Sequence, residues 1–436
     1  MFQRRSQAYP LWLLSLVPTL LLSLLALPAL YAQSTTTYTV YTSQNGEVQG
    51  SEILDITPDA RTAVVVGSNN VGENKLRLIT IDPATGLPKR SSEDFKTRPA
   101  VAGLGLAQPV FSSVAMHPTR NFALVTVRDL NDDTKAGGAV FIDVASLALV
   151  RDTPLPLGLH PESVAIAPNG NYAVVANQGG SISIIDLRSG AGAATVSATI
   201  TPTVPDAETT REQDDPQPEA VAISPDSTRA FVTLQRNNAI TIIDINPTTL
   251  ATDAVTRALP YKLGGGTIPL RPDGLAITPD GNYLVTADEG VAGSTRPNSV
   301  SLFRVGADRT LNRLADTGNA LPLGSQPEMV DVGTIGNRLR AYVTLERTDQ
   351  VAVLHVDTAN GQLQLEQVVD LNPSSLGSNT ASSPEGIKIA KPQGMELIVT
   401  ANVGTRNVSV LRATTSSPSP SPSPATQRVH LPLVTK

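Results

Sequence analysis

The sequence contains no cysteine, which excludes disulfides, zinc-thiolate and iron–sulfur sites and a cysteine nucleophile. Its one tryptophan is Trp12, so the body beyond the first thirty residues lacks the indole platforms on which many sugar sites stack. Positive charge is also in short supply: 33 Lys and Arg face 39 Asp and Glu, a net charge of −6. That balance argues against a broad electropositive surface for nucleic acid. No G-x-S-x-G elbow, P-loop, G-x-G-x-x-G turn or H-E-x-x-H helix occurs, so the common hydrolase, nucleotide and zinc-protease mechanisms have no local support.

The two ends read as addressing rather than fold. Arg4 and Arg5 precede an apolar run from Leu11 to about Leu30, followed by Leu30-Tyr31-Ala32 and a Ser/Thr-rich stretch. This is the pattern of a secretory leader spanning residues 1–32, with an uncleaved membrane anchor as the alternative. Loss of the leader removes two Arg and no acid, giving 31 − 39 = −8. Residues 413–427 form a Ser/Pro-rich spacer in which Ser416 to Pro424 alternates Ser and Pro, an extended composition with no apolar face. The closing segment 428–436 resembles LPLV-x-K tails of secreted bacterial proteins, which is either a sorting tag or a frayed terminus.

Between the ends, residues 33–412 repeat one pattern: Pro-acid, a short alternating run, a Pro-Asp/Asn-Gly-like turn, and two further β-rich runs. The clearest copy runs Pro161-Glu162, Val164-Ala165-Ile166, Pro168-Asn169-Gly170, Tyr172 to Asn177, and Ile182 to Asp186. Period-2 runs bounded by turn residues are strands. Copies begin at Glu52, Ser112, Glu162, Glu219, Asp273, Glu328 and Glu385, about fifty to sixty residues apart. Seven such units without intervening helices predict an all-β, seven-bladed propeller of four-stranded antiparallel blades. The last copy ends after its third strand, Val408 to Leu411, and Thr37 to Thr42 is placed to supply the fourth and close the ring.

The segments His160 to Gly170 and Pro225 to Ile240 resemble YVTN-type propeller repeats, and the second is also similar to the choice-of-anchor I type of secreted bacterial propeller. The resemblance covers residues 36 to 412. It implies a superfamily that includes lactonase-like seven-bladed proteins and the haem d1 domain of nitrite reductases, hosting binders and enzymes alike. No residue can be assigned as an axial haem ligand.

The innermost strand of a blade starts on the face where the second strand ends, because neighbouring strands are antiparallel. Two rings are therefore expected at one mouth of the central channel. One comprises Glu52, Ser112, Glu162, Glu219, Asp273, Glu328 and Glu385; the other comprises Ser68, Arg128, Asn177, Gln235, Asp288, Glu346 and Asn402. A residue type repeated in every blade often solves a shared problem, such as accepting backbone N–H groups from a neighbouring turn. The functional alternative is that carboxylates around one axis attract a cation, Ca²⁺ or an Arg-lined cationic ligand, unless Arg128, Arg236 and Arg347 neutralise them. In that case Glu52, Glu162, Glu219, Asp273, Glu328 and Glu385 are the metal candidates. Positions that break the repeat, Ser112, Arg128, Asp288 and Glu346, are better candidates for specificity.

Long connections at Lys96 to Gln108, Arg128 to Gly138, Thr201 to Gln217, Leu259 to Arg271 and Glu289 to Asn298 fall on the same face, either as neutral drift or as a binding surface. Asp206, Glu208, Glu212, Asp214 and Asp215 add an acidic rim. The run Asp129 to Asp133 opens like a calcium loop but has Thr134 and Val140 where Gly and Glu are needed. Of the four His, only His160 falls near the mouth; with Glu162 and Glu219 it is the candidate for acid–base chemistry. The expected function is an exported, monomeric binding propeller for an extracellular protein or small molecule, with neither nucleic acid nor a membrane span after leader cleavage. The alternative is a lactonase-like or metal-dependent ester hydrolase at the acidic mouth.

Overall fold

A computed structural model describes residues 36–43, 52–68, 74–82, 84–96, 101–204, 215–259, 269–290, 298–372, 382–391 and 395–416. The expected leader, most of the spacer and the tail lie outside these residues. The compact unit runs from Thr36 to Thr415, so its last strand reaches three residues past the expected boundary at 412.

Seven antiparallel sheets stand around one axis. Their first strands, Ile53–Ile56, Pro109–Met116, Pro161–Ile166, Pro218–Ile223, Pro272–Ile277, Pro327–Ile335 and Pro384–Ala390, pack against one another in cyclic order and enclose the channel. Second strands such as Tyr172–Asn177 and Leu397–Asn402 are buried along their whole length, because each blade is covered by a neighbour on both faces. The core is correspondingly divided into seven apolar clusters, one per blade interface. Valine, isoleucine and alanine dominate them, the residues that fit a pleated surface buried on both sides.

Ring closure follows the expected route. Thr36–Thr42 forms the outer strand of the seventh blade, pairing antiparallel with Asn407–Thr415 from Thr36 opposite Thr415 to Thr42 opposite Ser409. The Tyr38 and Tyr342 hydroxyls meet at 3.0 Å and tie this strand to the sixth blade. Among the described residues only the second blade departs from four strands, its outer edge being split into Ala148–Leu149 and Leu155–Leu159, which both pair with Ala136–Asp143.

The repeated Pro-Asp turns lie at the opposite end of the channel from the mouth. The Thr57, Ser224 and Thr278 hydroxyls donate to Asp59, Asp226 and Asp280 at 2.6, 2.6 and 2.5 Å, closing compact side-chain turns. In the second blade His117 takes the hydroxyl's place. Its Nδ1 accepts the Thr119 and Arg120 N–H groups at 3.2 and 3.0 Å, and Nε2 faces the Gly170 carbonyl at 3.1 Å. These partners suit a neutral ring protonated on Nε2, and burial holds its pKa below the ordinary histidine value.

Candidate functional site: the carboxyl-lined channel mouth

The acidic ring is produced by a repeated backbone irregularity. Strand register slips immediately after Pro161, Pro218, Pro272, Pro327 and Pro384, leaving Glu162, Glu219, Asp273, Glu328 and Glu385 at the bulge. Between Phe111 and Ser113 the same slip leaves Ser112 in the equivalent place. Bulges re-aim side chains, and a Pro that cannot donate is tolerated beside one.

The displaced backbone groups are satisfied by neighbouring blades, and hydroxyls do that work. Thr233 Oγ1 donates to the Asp273 carbonyl at 2.8 Å, Thr344 Oγ1 to Glu385 at 2.9 Å, and Ser112 Oγ to Pro161 at 2.6 Å. The same Thr233 and Thr344 oxygens accept the Ala220 and Met329 N–H groups at 2.9 and 3.0 Å. Between the seventh and first blades the Gly386 N–H donates to the Glu52 carbonyl at 2.9 Å. At these four interfaces the shared problem is thus solved without the carboxyl groups, which are left to interact with other side chains of the mouth.

Those side chains fall into two sectors. Around the second and third blades, Arg128 Nε lies 3.3 Å and His160 Nε2 3.0 Å from Glu162 Oε2, while His160 Nδ1 lies 2.8 Å from Asp133 Oδ1. His160 is buried, with a left-handed backbone at φ 49°, and it lies close to both carboxylates without a well-formed hydrogen bond to either, its Nδ1 and Glu162 Oε2 being buried without hydrogen-bond partners. Around the fourth to seventh blades the carboxyls crowd one another. Gln178 Nε2 donates to Glu219 at 3.2 and 2.9 Å, and Gln326 Nε2 donates to Glu328 at 2.7 Å and to Glu289 at 3.2 Å. Gln235 reaches Glu289 at 3.0 Å, and Arg271 Nη2 lies 3.4 Å from the same carboxylate.

Crowding in a partly desolvated mouth favours protonation. Burial, then the charges of Glu162 and Glu328, push Glu219 up to about 8. Burial raises Glu328 to about 7 despite its bond to Asp273, and raises Asp273 well above the usual range, with the Glu328 and Glu219 charges adding to it. Glu385 is raised by burial and then by Glu52 and Glu328. Asp273 and Glu328 are hydrogen-bonded across the blade interface, so one proton serves both and they titrate as a pair.

The second expected ring needs correction. Arg128, Gln235 and Glu346 do stand at the mouth, but Asn177, Asp288 and Asn402 sit one residue earlier and point into their own blades. Asn177 Nδ2 donates to the Ser181 and Ser183 hydroxyls at 3.2 and 2.9 Å, and Asn402 Nδ2 donates to Asn407 and Ser409 at 2.7 and 2.8 Å. Asp288 accepts from Thr286 and Ser299 at 2.7 and 3.0 Å and from Ser301; burial raises it to about 6 against these bonds. A one-residue slip exchanges the faces of a strand. The residues that meet the carboxyls are their successors, Gln178 and Glu289. The Ser68 side chain lies outside the described residues.

Asp129 is likewise engaged by backbone: its carboxylate accepts the Ala107, Gln108 and Asn131 N–H groups at 2.7, 3.0 and 3.1 Å, tying down its loop instead of presenting calcium ligands. Among the described residues no three His, Asp or Glu side chains converge closely enough to hold a metal ion. Of the long connections, residues 97–100, 205–214, 260–268 and 291–297, with Asp206, Glu208, Glu212 and Asp214 of the acidic rim, lie outside the described residues.

Comparison with known proteins agrees with this architecture. Residues 52–263 match the choice-of-anchor I domain and residues 221–367 match the seven-bladed lactonase propeller. No curated protein matches the sequence. Among solved structures the chain is similar to hydrazine synthase of Kuenenia stuttgartiensis, at 16% identity over 85% of this chain and 97% of that one, with a TM-score of 0.58. It is also similar to the periplasmic gluconolactonase PpgL of Pseudomonas aeruginosa, at 16% identity over 77% and 97% of the two chains and a TM-score of 0.56. Likenesses at this identity establish the fold alone. The chain is a seven-bladed β-propeller, parts of which match the choice-of-anchor I domain and the seven-bladed lactonase propeller.

Proposed function

We propose that the protein is an exported binding propeller whose channel mouth captures a cationic group of an extracellular partner or small molecule. The observation that carries this reading is the division of labour at the bulges. Hydroxyls and backbone satisfy the repeated irregularity, so the carboxyls are surplus to the fold and are kept at an electrostatic cost near neutral pH. A cation entering the ring displaces their protons and relieves that cost. Hydrogen-bonding organic cations suit it best, because the acceptors are spread around a ring and do not converge on one point.

The test is calorimetric titration of the leaderless protein with n-butylguanidinium, and separately with Ca²⁺, at pH 6 and pH 8. Tighter binding at the higher pH, with proton release and loss of affinity on Glu219→Gln together with Glu328→Gln, is expected. Absence of binding by either probe at pH 8 would refute it.

A second reading, hydrolysis of a lactone or ester, is favoured by the placement of His160 between Asp133 and Glu162, groups able to act as acid and base. The match to a lactonase propeller and the likeness to a gluconolactonase agree with it. Turnover in a lactone panel that disappears on Glu162→Gln would favour this reading; turnover that survives the substitution would remove Glu162 and His160 from it.

A further inference from the structure

Below the mouth the channel holds a cavity of about 150 Å³ lined by the first strands of the blades. Counting three residues on from each position of the acidic ring gives one tier of seven positions: Asp55, Ala115, Ala165, Ala222, Ala276, Asp331 and Lys388. Four are alanine, and the three charged ones are adjacent, in the sixth, seventh and first blades. The wall across the cavity from Lys388 includes Ser163, Val164, Ala165, Ala220, Val221 and Leu275.

The two aspartates are already occupied. Asp55 accepts the N–H groups of Ile56 and Met116 at 2.8 and 2.7 Å, and Asp331 those of Val332 and Ile389 at 2.9 and 2.8 Å. Each carboxylate thereby fastens its own strand to the next blade. Lys388 is different. Burial pulls its ammonium down, but the Asp55 and Asp331 charges outweigh that and hold it above the ordinary lysine range. Those two influences act through space, and among the described residues no acceptor lies within hydrogen-bonding reach of its Nζ. A part-exposed ammonium with no protein acceptor, at the edge of a cavity that also presents Ala165 and Val221, offers its donors to a bound molecule.

We propose that this cavity is a second binding site, separate from the mouth, which takes a small uncharged carbonyl compound. Its oxygen accepts from Lys388 and its hydrocarbon part lies against Val164, Val221 and Leu275. Charge selects against the alternatives. An anion meets Asp55, Asp331 and the carboxyl ring above, while a cation meets the ammonium itself. The volume suits a molecule of about six heavy atoms, since cavities near 150 Å³ in other proteins accept benzene. The site does not depend on the reading of the mouth as a cation receptor.

The experiment uses cyclopentanone as probe, followed by methyl resonances of Val164, Val221 and Leu275 in the leaderless protein. Saturable shifts are expected, with cyclopentylammonium and cyclopentanecarboxylate giving none. Lys388→Met should weaken binding at least tenfold. Because that change leaves two inward aspartates without their counter-charge, Val221→Phe provides a second variant that fills the cavity and keeps Lys388; it should abolish the shifts and leave n-butylguanidinium binding unaltered. Failure of cyclopentanone to saturate, or equal binding by wild type and either variant, would overturn the proposal and leave the cavity to water.

Discussion

Raised carboxyl pKa values make stability a function of pH, and Glu219 offers the sharpest case. Its ordinary value is 4.5 and its folded value about 8. Between these limits the folded protein retains a proton that the unfolded chain has lost, so stability is highest below pH 4.5 and declines as pH rises through the window. A shift from 4.5 to about 8 corresponds to on the order of 5 kcal/mol for an isolated group, at about 1.4 kcal/mol per unit. Glu328 and Asp273 ionise against the same field, so the share removable at Glu219 alone is about 3 kcal/mol. Glu219→Gln retains a polar partner for Gln178 and cannot ionise. Urea denaturation at pH 5 to 8.5 should show wild-type stability falling across the range, with the variant falling much less and exceeding wild type at pH 8. A wild-type profile flat over this range, or an unchanged slope in Glu219→Gln, would refute the electrostatic account of the mouth.

Other consequences are as direct. Thr233→Val or Thr344→Val deprives a bulge carbonyl and a bulge N–H of their partner and should cost about 1–3 kcal/mol each in urea denaturation, with cation affinity reduced because the neighbouring carboxyls lose their placement. Asn402→Ala should destabilise the seventh blade by about 2 kcal/mol yet leave the affinity for n-butylguanidinium unaltered, since the side chain faces its own blade. His117 has a lowered folded pKa, so its contribution is present above its unfolded value of 6.5 and is lost as pH falls through the folded one; His117→Gln should flatten the acid limb of the stability profile. Deleting residues 36–42 opens the ring, and amide exchange in the third strand of the seventh blade should accelerate more than in any other third strand.

The blade pattern was legible because turns punctuate it: Pro168-Asn169-Gly170 between two β runs is readable without coordinates, and the spacing of its relatives counts the blades. The Pro-acid start was legible for the same reason. The phase of the second strands was not. Tyr172 to Asn177 is buried on both faces, so no alternation of apolar and polar residues marks which side chain looks toward the axis, and Asn177 was mistaken for its successor Gln178. The bulge at Glu162 compounds this, since an extra residue shifts the pairing that would otherwise set the phase. Asp288 and Asn402 fall to the same slip, and Glu289 is missed with Gln178. Lys388 could have been found by carrying the repeat alignment three residues further, where a charged residue replaces the alanine of Ala165 and Ala222. Its lack of a hydrogen-bonding partner is a property of the closed ring and is not written in any one repeat.

The measurement that bears most directly on the mouth as a cation receptor is titration with n-butylguanidinium at pH 7.5 in two buffers of different ionisation enthalpy. Carboxyls that hold protons near neutrality must surrender them to an entering cation, so the observed heat should differ between buffers by a positive proton release that vanishes in the Glu219→Gln, Glu328→Gln double variant. Binding without proton release, or binding that the double variant retains at full strength, would contradict the account.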